Sequence, residues 1–192
     1  MTAYLDSLFG DLSASVAAAE SQKGRLEEAA RTIAGSIAGG GTLLICGNGG
    51  SAAEAQHFAA EFVGRFLAER PGLPAVSLAA DSSKLTAIGN DYGFAEVFAR
   101  QVRALGRPGD VLWAMSTSGT SPNVVAALAA ARERGLSTLF MCGSEIADPG
   151  IADTVILAPA PSTPRIQELH LFYGHALCDL TDRILFSGGE TA

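Results

Sequence analysis

The sequence predicts an α/β fold: a three-layer αβα sandwich on a five-stranded parallel sheet, preceded by a helical extension. Three observations predict it. From residue 42 onward, short apolar runs alternate with stretches of helical periodicity. The strongest of those runs are continuously apolar, which suits strands covered on both faces. Two of them end in loops of small residues that lead straight into helices.

The elements follow in order. Leu5, Leu8, Leu12, Val16 and Ala19 recur at helical spacing, and a second amphipathic run links Leu26, Ala30, Ile33 and Ile37 before Gly39-Gly40-Gly41 stops it. These helices over 1–40 precede the first strand and are expected to pack on the core or on a partner subunit. Strands are expected at 42–46, 74–78, 111–115, 137–142 and 154–157, the third entered by the turn Pro108-Gly109-Asp110. Helices are expected at 51–67, 83–105 with a break near Gly89–Gly93, 122–134, and 164–185. No repeat or linker divides the chain, so 1–192 is expected to be a single domain.

The bulk numbers narrow the function. Apolar residues make up 48% and charged residues 17%, a folded rather than disordered profile. A net charge of −7 argues against nucleic-acid binding, and it means that an anionic ligand must be held by local groups. Cys46, Cys142 and Cys178 show no metal-binding spacing and are expected to be buried free thiols. Met1–Ser7 carries no basic stretch or long apolar core, and no run is long enough to span a bilayer, so a cytoplasmic protein is expected.

In an open parallel sheet, ligands bind beyond the carboxyl ends of the strands. One loop there is Gly47-Asn48-Gly49-Gly50-Ser51, whose glycines let backbone N–H groups approach an anion at a helix start. The other is Ser116-Thr117-Ser118-Gly119-Thr120-Ser121, with five hydroxyls in six residues and Pro122 at a helix start. The second loop is not a P-loop, because the lysine is missing, nor is it a dinucleotide fingerprint. A phosphosugar fits both: hydroxyls for the phosphate, amides for the sugar.

Four further side chains bear on chemistry. His57 and Glu61 stand at i and i+4, on one helix face. Such a pair is ordinarily a surface hydrogen bond, but this one follows a ligand loop by two turns. The last helix carries Gln167, His170 and His175. Spacing alone leaves open which of the two histidines is a core residue and which faces a site.

Taken together, the first loop, His57-Phe58-Ala59-Ala60-Glu61, Gly89-Asn90-Asp91-Tyr92-Gly93-Phe94, the hydroxyl loop and Arg165-Ile166-Gln167-Glu168-Leu169-His170 resemble the phosphoheptose isomerases, in order and over nearly the whole chain. The resemblance implies an SIS domain of flavodoxin-like architecture that converts D-sedoheptulose 7-phosphate to D-glycero-D-manno-heptose 7-phosphate. It implies a homotetramer with active sites at subunit interfaces and one zinc ion per subunit. By position, Glu61 and His175 match the catalytic pair, and His57, Glu61, Gln167 and His175 match the metal ligands. Asn48, Gly49, Gly50, Ser51, Glu61, Asn90, Asp91, Ser116, Thr117, Ser118, Ser121 and Gln167 match substrate contacts. One departure is Pro164, where familiar members carry an acidic residue. One tension is spatial: eight residues of helix separate Gln167 from His175 by about 12 Å, against zinc bonds of about 2 Å.

Ketose–aldose conversion needs a base for a carbon proton and an acid for the carbonyl oxygen, but no redox cofactor. Glu61 is the expected base and His175 the expected partner for the oxygen proton or the second carbon. A rival resemblance is to the DnaA initiator-associating protein, a SIS-domain adaptor, through Glu69-Arg70-Pro71-Gly72-Leu73-Pro74-Ala75, Leu85-Thr86-Ala87-Ile88, Gln101-Val102-Arg103-Ala104-Leu105-Gly106 and Cys178-Asp179-Leu180. Glu61 and His175 discriminate, since acid–base chemistry needs both, and they favour the enzyme. A sugar-phosphate-sensing regulator is disfavoured because no segment remains for a helix-turn-helix.

Overall fold

In a computed structural model of the chain, residues 1–143 and 150–186 are described. Five parallel strands form one sheet: β1 (Leu43–Gly47), β2 (Ala75–Ser77), β3 (Val111–Ser116), β4 (Ser137–Gly143) and β5 (Thr154–Ala158). Their order is β2-β1-β3-β4-β5. The connections leave β1 in opposite directions, so the switch point lies between β1 and β3, where such sheets bind ligands. The two loops singled out above leave the carboxyl ends of these two neighbours.

Seven helices flank the sheet among the described residues: α1 (Thr2–Ala19), α2 (Lys23–Ala38), α3 (Gly50–Val63), α4 (Ser82–Tyr92), α5 (Ala99–Leu105), α6 (Pro122–Glu133) and α7 (Thr163–Phe186). Alternate strand residues point to opposite layers. Leu43, Ile45, Val111, Trp113, Met115, Met141 and Ile156 face α2, α3 and α7. Leu44, Cys46, Leu112, Ala114, Phe140 and Cys142 face α5 and α6. The three-layer sandwich is therefore as expected.

The amino-terminal helices divide between two fates. α2 buries Leu26, Ala29, Ala30, Ile33 and Ala34 against its own chain. α1 buries only Ser15 and Ala19 and leaves Tyr4, Leu5, Phe9 and Val16 exposed. The expected helix 83–105 is three pieces. Gly93, at φ +86°, ends α4 in a conformation that side chains resist, and a 3-10 turn at Phe94–Glu96 precedes α5. α3 stops at Val63, four residues before the expected end, with Gly64 as its cap. Pro164 sits in the first turn of α7, where its missing N–H costs nothing.

All three cysteines are free and buried. Burial pushes the Cys46 and Cys142 thiols up to about 12 and raises Cys178 as well. No described helix is long and apolar enough to cross a membrane.

Candidate active site

The first loop turns on Gly49, whose φ of +55° is available to glycine, and it starts α3 without a side-chain cap. Gly50 is glycine because Gln167 lies over it: a Cβ there would stand 2.2 Å from Gln167 Nε2. In the second loop, Ser121 occupies the N-cap of α6 yet does not cap it. Its hydroxyl instead bonds that of Ser116 at 2.9 Å, and Ser116 reaches Ser118 at 3.3 Å. Ser118 also accepts from the Thr120 backbone N–H. The hydroxyls of Ser116, Ser118, Thr120 and Ser121 thus form one linked set beside a helix start, a suitable cradle for a phosphate. Thr117 anchors the loop by accepting from the Gly143 N–H at the end of β4.

The sequence reading missed what joins the loops. Asn48 and Asn123 exchange two hydrogen bonds, each amide donating to the other's oxygen at 2.8 Å. Asn123 is buried. The pair occupies one proton and one lone pair of the Asn48 amide and leaves its remainder, with the loop backbone, for a ligand. Only the place of Asn123, next to Pro122 at a helix start, could have flagged it.

At the other end of α3, side chains from distant stretches meet. His57 Nε2 and His175 Nε2 are 2.8 Å apart, one donating to the other. Glu61 Oε1 lies 3.7 Å from His57 Nδ1. The His175 ring is stacked on Phe66, with Phe58 edge-on, and Phe58 is itself stacked on the fully buried Trp113. Of the two histidines of α7, His175 is the one that meets His57. His170 is fully buried in the core. Desolvation pulls its pKa down to about 4, with the Cys142 backbone opposing, and neither ring nitrogen has a hydrogen-bond partner of ordinary geometry.

Burial raises Glu54 to about 7, with Ser51 opposing. This residue was also missed. It shares the α3 face of Gly50, His57 and Glu61, three residues from His57, and its Oε2 is buried without a partner. Asn90 and Asp91 lie exposed in the last turn of α4, hydrogen-bonded to each other, and one chain gives them no hydrogen bond to either loop.

The four expected zinc ligands do not gather within one chain. α7 is an unbroken helix, so Gln167, held over Gly50, is about 12 Å along the axis from His175. Among the described residues no three His, Cys, Asp or Glu side chains group as ligands. The two imidazoles do suit a metal. Their two Nε2 atoms already face each other and would hold a zinc ion as neutral nitrogen ligands. Glu61 stands beside the other His57 ring nitrogen, 3.7 Å from Nδ1, and its carboxylate would have to turn to reach the same ion.

Sheet order, switch-point loops and the imidazole pair place the chain in a class of α/β proteins built to take a sugar phosphate. The SIS domain model matches residues 8–143. The chain is 56% identical to the phosphoheptose isomerase of Solidesulfovibrio magneticus over 84% of its length and 79% of that protein's. It is 51% identical to that of Thiobacillus denitrificans, over 90% of each chain. The structure of phosphoheptose isomerase from Neisseria gonorrhoeae superposes with a TM-score of 0.88 at 42% identity, covering 94% of this chain and 98% of that one. The chain belongs to the phosphoheptose isomerase family of SIS-domain proteins and is a sugar-phosphate isomerase, not an adaptor alone.

Proposed function

We propose that the chain interconverts D-sedoheptulose 7-phosphate and D-glycero-D-manno-heptose 7-phosphate through an enediolate. The observation that carries this is the approach of His175 to His57, with Glu61 on the same α3 face. Two basic groups from distant stretches meet at an open, half-exposed position, which a structural core pair would not need. Ser116, Thr117, Ser118 and Ser121 hold the phosphate. Asn48, Gly49, Gly50, Ser51 and Gln167 hold the sugar hydroxyls, with Asn90 and Asp91 as further contacts.

Glu61 takes the proton from C1 while His175 protonates the C2 carbonyl oxygen, giving the enediol. His175 then takes the proton of the C1 hydroxyl as a proton is returned to C2, by Glu61 or through His175, so that one proton leaves C1 and one arrives at C2. A histidine suits that work near neutral pH. The reaction is redox-neutral, so electrons and protons balance between C1 and C2.

The interface site is part of the proposal. Eleven residues of α3 separate Gly50 from Glu61, about 16 Å of helix. A seven-carbon chain with bonds of about 1.5 Å has a contour of roughly 9 Å. This mismatch supports a homotetramer in which the proton-moving pair of one copy completes the phosphate grip of another. The same arrangement lets Gln167 of a second copy join His57, His175 and Glu61 around one zinc ion per subunit. When bound, zinc would polarise the carbonyl. A charged sugar phosphate stays in the compartment that makes it, which supports a cytoplasmic setting.

The test is incubation with sedoheptulose 7-phosphate, with and without chelator, following aldose formation by NMR. Conversion is expected. No product with metal supplied would overturn the proposal.

A further inference from the structure

Arg70 lies in a stretch that the proposed chemistry does not use, yet its guanidinium is among the most committed polar groups of the molecule. Its side chain is 3% exposed. Nη2 donates to the Glu61 carbonyl at 2.9 Å, and Nη1 to those of Phe62, Gly64 and Pro71 at 2.8, 3.1 and 3.2 Å. Nε donates to Asp182 Oδ1 at 2.9 Å. The loop can fold back this closely because residue 72 is glycine: a Cβ there would stand 2.5 Å from the Val63 carbonyl.

The chemistry of the arrangement is specific. The last carbonyls of a helix lack N–H partners and carry the negative end of its dipole. A planar cation with five donors answers several of them at once, which a lysine does not. The fifth bond runs to α7. Asp182 follows His175 by two turns, on the same side of that helix. One side chain therefore grips the backbone of Glu61 itself and the helix that carries His175.

We propose that Arg70, with Asp182, is a positioning residue of the isomerase: a strut that sets where Glu61 stands relative to His175. It touches neither the Glu61 carboxylate nor the phosphate loops, which lie at the opposite end of α3. The inference rests on the reading of Glu61 and His175 as the proton-moving pair. Its signature is a loss of turnover without a loss of grip, because small misplacements of a catalytic group are costly.

The experiment compares Arg70→Gln, Arg70→Lys, Asp182→Asn and Asp182→Ala with Glu61→Gln, at a temperature where each is folded. The measurements are kcat, KM for sedoheptulose 7-phosphate, and the exchange of the C1 proton in D2O. Arg70→Gln should lower kcat and exchange about 100-fold, with KM within about twofold. Arg70→Lys should recover only part of that loss. Asp182→Asn, which keeps an acceptor, should lose less than Asp182→Ala. If Arg70→Gln does not fold, the Asp182 pair carries the test. A kcat within twofold of native in the folded variants overturns the strut, as does a fall that merely tracks the folded fraction. Should those variants stay active while Glu61→Gln is dead, only the strut fails. An active Glu61→Gln removes the proton-moving reading and the strut with it.

Discussion

The two ends of the α3–α7 pair make an instructive contrast. At the amino end, Gly50 and Gln167 meet through a missing side chain: the helices approach because one residue has no Cβ, and what lines the surface is backbone and hydroxyl. Toward the carboxyl end, His57 meets His175 and the Phe58 ring fills the space over Gly174, while beyond the end of α3 Arg70 bonds Asp182. On the proposed reading the first end grips and the second moves protons. Both join distant stretches, Gly50 with Gln167 at one and His57 with His175 at the other, but the first presents loop backbone and hydroxyls whose motifs are each local, whereas the second depends on single side chains set against each other by the fold.

The largest way to break this contrast is Glu61→Gln. It should lower kcat about a thousandfold, within the usual range for general-base removal, while KM changes by no more than a few-fold. Equal losses in binding and rate, in steady-state kinetics, would place Glu61 in the grip instead.

Next in size is a matched pair of glycine substitutions. In Gly174→Ala the new Cβ would stand 2.0–2.1 Å from the Phe58 ring, which is fixed by its stack on Trp113. Destabilisation of about 3 kcal/mol in urea unfolding is expected, at the upper end for overpacking. In Gly50→Ala the clash falls on the mobile tip of Gln167. That variant should keep its unfolding midpoint and raise KM about tenfold, a loss of about 1.4 kcal/mol. Asn123→Ala, which releases Asn48, should raise KM by several-fold and leave kcat near native.

The smallest effect concerns Glu54, between the two ends. Its folded pKa is raised from 4.5 to about 7. Between those values the folded state binds more protons than the unfolded one, so this group's contribution to stability is lost as pH rises through 7. Glu54→Gln should therefore stabilise the chain at pH 8 by on the order of 1 kcal/mol, solvent screening allowed for, and have little effect at pH 4. His170 works in the opposite sense. Depressed from 6.5 to about 4, it contributes stability above pH 6.5 that is lost as pH falls through 4. Thermal unfolding of Glu54→Gln and the native chain across pH 4–8 separates the two.

The same contrast explains what was legible in the sequence. Strand positions and both loops follow from local signals, because an apolar run or a glycine turn carries its own cause. α3 was read four residues too long because Phe66 and Leu67 keep the apolar pattern going; what they face is decided by Gly64 and by Arg70 folding back on the helix end. The break expected near Gly89–Gly93 falls at Gly93, whereas the 3-10 turn that follows it was not legible, since apolar periodicity resumes at once. His57 and Glu61 could be paired from spacing, but the choice between His170 and His175 depends on where α7 lies against α3. Arg70 and Asp182 gave no local signal at all, for a bond between residues 70 and 182 exists only once the chain is folded.

The buried thiols carry one last consequence. Cys46 and Cys142 lie under one layer of helices, and Cys178 is on α7 in the other. As neutral, inaccessible groups they are poor targets for an alkylating reagent while the sandwich is closed. Label therefore enters only when a layer lifts, and the order in which peptides gain it reveals which side of the molecule opens first.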